Sequence, residues 1–395
     1  MSTATAPAST ALDVLQELAD RFDPGDIDVP GGEAKIRLEV TDGEDLDALI
    51  SLPGISLEPA SGRPDARLSA DTATWTEIAA DMRGGMASFS RGRLSIRDDL
   101  HLGIGFLAAT SGETDPGRLR FHRVETADHE FAVVEAGDPD APPLLCIHGL
   151  GGTKASFMTT VSALAPLGHR VIAIDLPGFG DSSKPFTGGF DAIWYSELIV
   201  DLMDEMGIER ASFAGNSMGG RIALELGIRE PERVEKLVLL APALAWLKER
   251  PWKWLLQMPL PRLGYLQPTP RWAVEPIVRR LVPGAEQGWT AAGVDEFLRA
   301  YLQPSGRFAF YECARNIYMD EPYGEEGFWT HLKKLEPAGL FVWGEQDTLV
   351  PKTFMRHVER ALPRTSQHLE LDCGHVPQME RAHRTHEAMH AFLTS

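Results

Sequence analysis

From about residue 143 onward this chain repeatedly runs apolar from end to end for a few residues and then turns helical. Pro143-Leu144-Leu145-Cys146-Ile147, Val171-Ile172-Ala173-Ile174, Leu237-Val238-Leu239-Leu240 and Gly339-Leu340-Phe341-Val342-Trp343 show no polar alternation. A strand with one wet face alternates apolar and polar side chains, so these runs belong to strands covered on both faces. Helix-like segments at 157–164, 193–206, 354–362 and 382–393 separate or follow them. Strands alternating with helices in this way predict the α/β class, a mostly parallel sheet with helices on both faces. His368-Leu369-Glu370-Leu371 reads as one more strand, and Phe121 to Glu125 with Phe131 to Ala136 as a strand pair.

Within that frame, Gly215-Asn216-Ser217-Met218-Gly219-Gly220 joins the short run Ala211-Ser212-Phe213-Ala214 to the helix-like Arg221-Ile222-Ala223-Leu224-Glu225-Leu226. A glycine two before and two after a serine, at a strand-to-helix turn, fits a nucleophile elbow. The turn is too sharp for side chains at Gly215 and Gly219. It lifts the Ser217 hydroxyl clear of the sheet at a helix N-terminus, where partial positive charge favours a developing oxyanion.

Other segments converge on this serine. His148-Gly149-Leu150-Gly151-Gly152 directly follows the first buried strand. Its glycines let the backbone N–H of Leu150 approach a substrate, with Met218 N–H as the second oxyanion donor. His148 itself reads as a buried structural histidine. Trp343-Gly344-Glu345-Gln346-Asp347 places an acid in the loop leaving a strand's C-terminal end; Glu345 competes for the role but precedes the loop's apex. Asp372-Cys373-Gly374-His375 puts a histidine just past the following strand. Ser217, Asp347 and His375 occur in the order that an α/β-hydrolase triad requires. Asp175 and Asp181, in Asp175-Leu176-Pro177-Gly178-Phe179-Gly180-Asp181-Ser182, come too early in that order and read as turn residues.

On these motifs, residues 120 to 395 resemble an α/β-hydrolase-fold serine hydrolase. The resemblance implies Ser217 as nucleophile and His375 as general base, then acid. Asp347 would fix the histidine tautomer and stabilise the imidazolium as it forms. Haloalkane dehalogenases and epoxide hydrolases of this fold carry aspartate at the elbow, so a serine implies acyl transfer through an acyl-enzyme. From about Ala245 to Lys333 no buried-strand pattern occurs. Trp246, Trp252, Trp254, Trp272 and Trp289 fall there, with helical spacing at 272–281 and 294–302. An insertion of that length predicts a helical cap over the active face, with a greasy cleft beneath it.

The first 116 residues follow another grammar. Leu12, Leu15, Leu18 and Ala19 predict an amphipathic helix that Asp23-Pro24-Gly25 ends. Ala34 to Val40 alternates strictly, as a half-buried strand does. Strand follows in Leu46 to Leu57 and Ala66 to Ala70, then a helix through Met82 with Thr74 and Glu77 spaced as a capping box. Asp65-Ala66-Arg67-Leu68-Ser69, the helix near Trp75, Ala87 and Phe89 before Gly92, and Leu94 and Ile96 before Asp98 resemble the sterol-carrier-protein-2 family. That resemblance implies a small α+β domain enclosing an apolar cavity for acyl chains or sterols. The polar stretch Thr110 to Gly117 suits a boundary. The expected division is a domain at 1–116 and a hydrolase domain at 117–395, with its cap at about 245–333.

A formal net charge of −19 argues against a nucleic-acid or anionic-membrane surface, which needs a basic patch to neutralise phosphates. Residues 1–10 lack the cationic and apolar regions of a signal peptide, and no run approaches the roughly 18 apolar residues of a membrane span. Cys146, Cys313 and Cys373 are odd in number and widely spaced, without a metal-ligand pattern. The expectation is a reduced, cytoplasmic setting with no metal and no cofactor.

The elbow's wording also occurs in serine-dependent carbon–carbon hydrolases of aromatic degradation. Those usually carry tryptophan directly after the histidine and a Gly-Pro-Gly-like oxyanion loop, where this chain has Val376 and Leu150-Gly151-Gly152-Thr153-Lys154. Monoacylglycerol-lipase-like and general carboxylesterases match those positions better, and a fused lipid-carrier domain would suit a lipophilic ester. The expected activity is therefore carboxylic-ester hydrolysis of a small lipophilic substrate. The alternatives are carbon–carbon hydrolysis of ring-fission products and a non-catalytic lipid-binding protein.

Overall fold

The computed structural model describes residues 10–80, 88–89, 91–112, 117–245, 270–281, 287–318, 322–362 and 364–395. The chain forms two compact units: Met1–Phe121 with Glu286–Asp295, and His122–Ala285 with Glu296–Ser395.

The first unit is built on a sheet of order β3-β2-β1-β4-β5, from β1 (Glu33–Val40), β2 (Leu46–Ser51), β3 (Gly54–Pro59), β4 (Ala66–Ala70) and β5 (Ser95–Arg97). β1 to β3 form an antiparallel meander, β4 runs parallel to β1, and β5 returns antiparallel to β4. The strict alternation of β1 buries Ile36, Leu38 and Val40 and turns the intervening side chains outward. Helices α1 (Ala11–Asp20), α2 (Thr72–Ala80) and α3 (Leu100–Ala109) also belong to this unit, and every residue of α3 is buried. The expected Thr74–Glu77 capping box is not the one formed. Helix α2 begins earlier, where Asp71 Oδ1 accepts from Thr74 N at 2.8 Å, and Glu77 pairs with Arg93 instead. Asp71 offers the carboxylate at the turn itself, so the helix starts one position after it.

The second unit holds an eight-stranded mixed sheet of order β13-β12-β11-β10-β8-β9-β7-β6. Its strands are β6 (Arg120–Glu125), β7 (Glu130–Ala136), β8 (Pro143–Ile147), β9 (Arg170–Ile174), β10 (Ala211–Asn216), β11 (Val234–Leu240), β12 (Ala338–Gly344) and β13 (Ser366–Leu371). β8 to β13 pair in parallel, while β7 runs antiparallel to β9. Helices α4 (Met158–Leu164), α5 (Ala192–Glu205), α6 (Met218–Arg229), α7 (Arg271–Leu281), α8 (Gln287–Tyr301), α9 (Pro304–Tyr318), α10 (Gly324–Leu332), α11 (Met355–Ala361), α12 (Pro377–Glu380) and α13 (Ala382–Thr394) follow in chain order. Leu145, Ile172, Phe213, Leu239 and Phe341 are sealed in one core, as the end-to-end apolar strand pattern requires.

The chain winds outward from β8 in both directions, so the strand order reverses there. Loops leaving the C-terminal ends of parallel strands on either side of such a reversal open a crevice. The loops after β8, β9, β10, β12 and β13 all leave from those ends, and they carry His148, Asp175, Ser217, Asp347 and His375.

Between β11 and β12 the described residues are helical, α7 to α10, with no strand among them. Residues 286–295 group with the first unit. Of the tryptophans expected in a greasy cleft, Trp272 is 78% exposed. Trp246, Trp252 and Trp254 lie outside the described residues, as does the segment around Ala87. Among the described residues no helix is long and apolar enough to cross a membrane.

Candidate active site

Ser217 sits between β10 and α6 with φ 52° and ψ −112°. A non-glycine residue held at positive φ costs of order 1–3 kcal/mol and persists only where its surroundings over-determine it. Here they do. Ser217 N donates to Leu240 O at 3.0 Å, and Ser217 O accepts from Arg221 N and Ala243 N. The flanking glycines are dictated by contact: a Cβ on Gly219 would lie 2.1 Å from Ile147 O, and one on Gly215 would lie 2.4 Å from Gly219 C. Asn216 ties the elbow to the histidine loop, its Nδ2 donating to both Leu240 O and His375 O at 3.0 Å.

His375 Nδ1 and Asp347 Oδ2 are 2.7 Å apart, and the Asp347 side chain is fully buried. Asp347 Oδ1 accepts from the backbone N–H of Leu349 and Val350 at 2.8 and 2.9 Å, which fixes the carboxylate plane. With the carboxylate as acceptor, the imidazole carries its proton on Nδ1 and presents a lone pair on Nε2. Glu345, the competing acid, points elsewhere and pairs with Lys352 near the surface at 3.3 Å. Glu380 clamps the loop from behind. Its carboxylate accepts from Gly374 N at 2.8 Å and Val376 N at 3.0 Å, on either side of His375. Among the described residues, the hydrogen-bond partner of Ser217 Oγ is the Tyr318 phenol at 3.1 Å and not the His375 ring.

The loop after β8 is fixed by the fully buried His148. Leu176 N donates to His148 Nε2 at 3.1 Å, so the ring proton sits on Nδ1 and donates to Gly149 O at 2.8 Å. Gly149 lies directly against the elbow: an added Cβ would stand 3.3 Å from Ser217 Cβ. Gly151 has φ 72°, and a Cβ there would press on the Phe297 ring at 2.7 Å. Leu150 is half-buried against the core, and the buried Met218 opens α6. The first N–H groups of a helix have no partner inside it, and Met218 N–H is the first of α6. A narrow apolar recess beside this loop is lined by Gly151, Phe179, Phe297, Tyr301 and Phe310.

Asp175 and Asp181 do more than make a turn. Lys154 lies at the end of the same loop and is buried. Its N and Nζ donate to Asp175 Oδ1 and Oδ2, both at 2.6 Å, and Nζ also reaches Asp181 Oδ2 at 2.9 Å. Arg299 of α8 donates to Asp181 Oδ1 at 2.7 Å. Burial would lower the Lys154 pKa, but the two carboxylates outweigh it and hold the ammonium above its ordinary range. The cysteines are free and buried. Burial pushes the Cys373 thiol up to about 12, which keeps it protonated at neutral pH.

A serine hydroxyl on a strained elbow, an aspartate-oriented histidine on the adjoining loop and a glycine loop against that serine together suit acyl transfer. The chain belongs to the alpha/beta hydrolase fold family, which residues 142–382 match. It is 30% identical over 265 residues to 2-hydroxymuconate semialdehyde hydrolase of Pseudomonas putida, covering 64% of this chain and 86% of that relative. It is 26% identical over 292 residues to the 2-hydroxy-6-oxononadienedioate/2-hydroxy-6-oxononatrienedioate hydrolase of Cupriavidus pinatubonensis, covering 71% of this chain and 96% of the relative. Among solved structures it is similar to a bacterial membrane phospholipase A, with a TM-score of 0.60 and 27% identity over 70% of this chain and 86% of the other.

Proposed function

We propose that this chain is a serine hydrolase cleaving a carbon–carbon bond in a 2-oxo- or 2-hydroxy-6-oxo-dienoate, the ring-fission type of substrate. The carrying observation is the 2.7 Å Asp347–His375 pair, tied through Asn216 to the strained Ser217 elbow. His375 Nε2 takes the Ser217 proton as Oγ attacks the 6-oxo carbon, and the N–H groups of Leu150 and Met218 receive the oxyanion. Collapse breaks the bond to the neighbouring carbon. Its electron pair delocalises into the conjugated 2-oxo acid and is then protonated, leaving an acyl-serine that water hydrolyses with His375 as base. The substrate class rests on relatives that bear that chemistry in their names.

Carboxylic-ester hydrolysis is the second reading. Val376 directly after His375 favours it, as does the likeness to a phospholipase A structure. The discriminating experiment gives the purified full chain a 6-oxo-dienoate, followed by loss of its absorbance, beside a series of p-nitrophenyl esters of increasing chain length. The first reading expects kcat/KM at least tenfold higher on the dienoate. Turnover of esters alone transfers the assignment to the second.

For the first unit, we propose a carrier for an apolar ligand of the sterol-carrier-protein-2 kind. The wholly buried α3 and the buried Trp75, Phe89 and Phe106 support an apolar interior. Saturable binding of a fluorescent fatty acid to the full chain, displaced by unlabelled acyl chains, is expected. No saturable binding refutes it.

A further inference from the structure

Tyr318 closes α9, and its phenol oxygen stands 3.1 Å from Ser217 Oγ. Nothing in the triad or the oxyanion loop explains that contact. A carbonyl carbon poised for attack also sits roughly 3–3.5 Å from its nucleophile, so the phenol stands in the shell the reacting group must enter. The bond competes with attack. If Ser217 donates, its proton points away from His375; if Tyr318 donates, it occupies one of the two Oγ lone pairs. A carbonyl entering that shell displaces it.

The rest of the residue is anchored. Its ring packs on the core of the second unit, and the same helix is held by the buried Cys313, whose Sγ lies 3.3 Å from Tyr195 Oη. A phenol freed from Ser217 thus stays beside the reaction centre as a donor in a nearly water-free site, where Ser217 is only 5% exposed.

We infer that Tyr318 is a specificity-determining residue: it exchanges its hydrogen bond to Ser217 for one donated to an oxygen on the carbonyl centre under attack. This rests on Ser217 being the nucleophile. The exchange moves no proton between groups. It makes the donor available only once a substrate has displaced it, and it favours substrates whose reacting centre carries an oxygen on the side of α9.

The test is Tyr318→Phe in the full chain, which keeps the ring and removes the donor. One hydrogen bond strengthened in the transition state predicts a fall in kcat of roughly 10- to 100-fold, with KM within about threefold of wild type and Tm unchanged. A packing role would instead move Tm, and simple binding would raise KM at constant kcat; either pattern overturns the inference. So does wild-type kcat in Tyr318→Phe. Ser217→Ala run alongside separates the two levels. If it stays active, the nucleophile assignment itself fails; if it is dead while Tyr318→Phe is unaffected, only the role of Tyr318 falls.

Discussion

Replacing Asp347 with asparagine changes one atom of the proposed triad and leaves its scaffold in place. The new amide would keep an oxygen where Oδ1 accepts from Leu349 N and Val350 N, so the loop after β12 retains both backbone bonds. The atom facing His375 Nδ1, now 2.7 Å away as a carboxylate oxygen, would become an NH2 donor. Two donors cannot share that contact. The imidazole must move its proton to Nε2, the nitrogen required as base, and the imidazolium loses its counter-charge. In a serine protease the same exchange lowers kcat by about 10⁴, equivalent to about 5 kcal/mol of transition-state stabilisation. Asp347→Asn is therefore expected to lose about 10⁴ in kcat with Tm within a few degrees of wild type, measured by steady-state kinetics and thermal unfolding. Glu345→Gln should leave kcat unchanged, because Glu345 faces Lys352. Asp347→Asn retaining more than a tenth of wild-type kcat would refute the reasoning, and a collapse in Glu345→Gln would show that the wrong acid had been chosen.

Lys154→Met leaves Asp175 buried without its cation and is expected to destabilise by roughly 3–5 kcal/mol in chemical denaturation, with the double change Lys154→Met and Asp175→Asn recovering part of the loss. His386 gives a pH signature, since burial lowers its pKa from 6.5 to about 4. Its stabilising contribution is complete above pH 6.5 and is lost as pH falls from 6.5 toward 4, because the unfolded chain takes up the proton first. The loss amounts to about 3 kcal/mol at most, and His386→Gln should flatten the stability profile over that window. Gly219→Ala drives a methyl into the Ile147 carbonyl and should abolish soluble folded protein or labelling of Ser217, whereas a normal Tm with normal kcat would contradict the elbow's packing.

The parallel strands were legible because burial on both faces leaves no room for polar alternation, and the elbow because its glycines answer to backbone contacts two residues away. Asp347 and His375 could be read from chain order, since each follows a recognisable strand. The residues missed have no local signature. Tyr318 is an ordinary helical tyrosine that meets Ser217 only through the fold. Lys154 looks like a solvated loop lysine until Asp175 and Asp181 enclose it. Glu380 belongs to a short helix whose service to His375 is visible only as two backbone bonds. Trp272 failed in the other direction: an aromatic in a helical pattern suggested a cleft, yet its side chain faces solvent. The substrate reading shifted for a related reason. Val376 and the oxyanion-loop wording are single-position departures, whereas the likeness to the two hydrolases extends over 64% and 71% of the chain.

The most direct measurement treats the full chain with a fluorophosphonate and locates the adduct by intact mass and peptide mapping. One adduct per chain, on Ser217, lost in Ser217→Ala and blocked in parallel with activity, is the result expected of an activated serine on this elbow. No adduct on wild-type protein, or an adduct on another residue that tracks the loss of activity, would contradict the assignment.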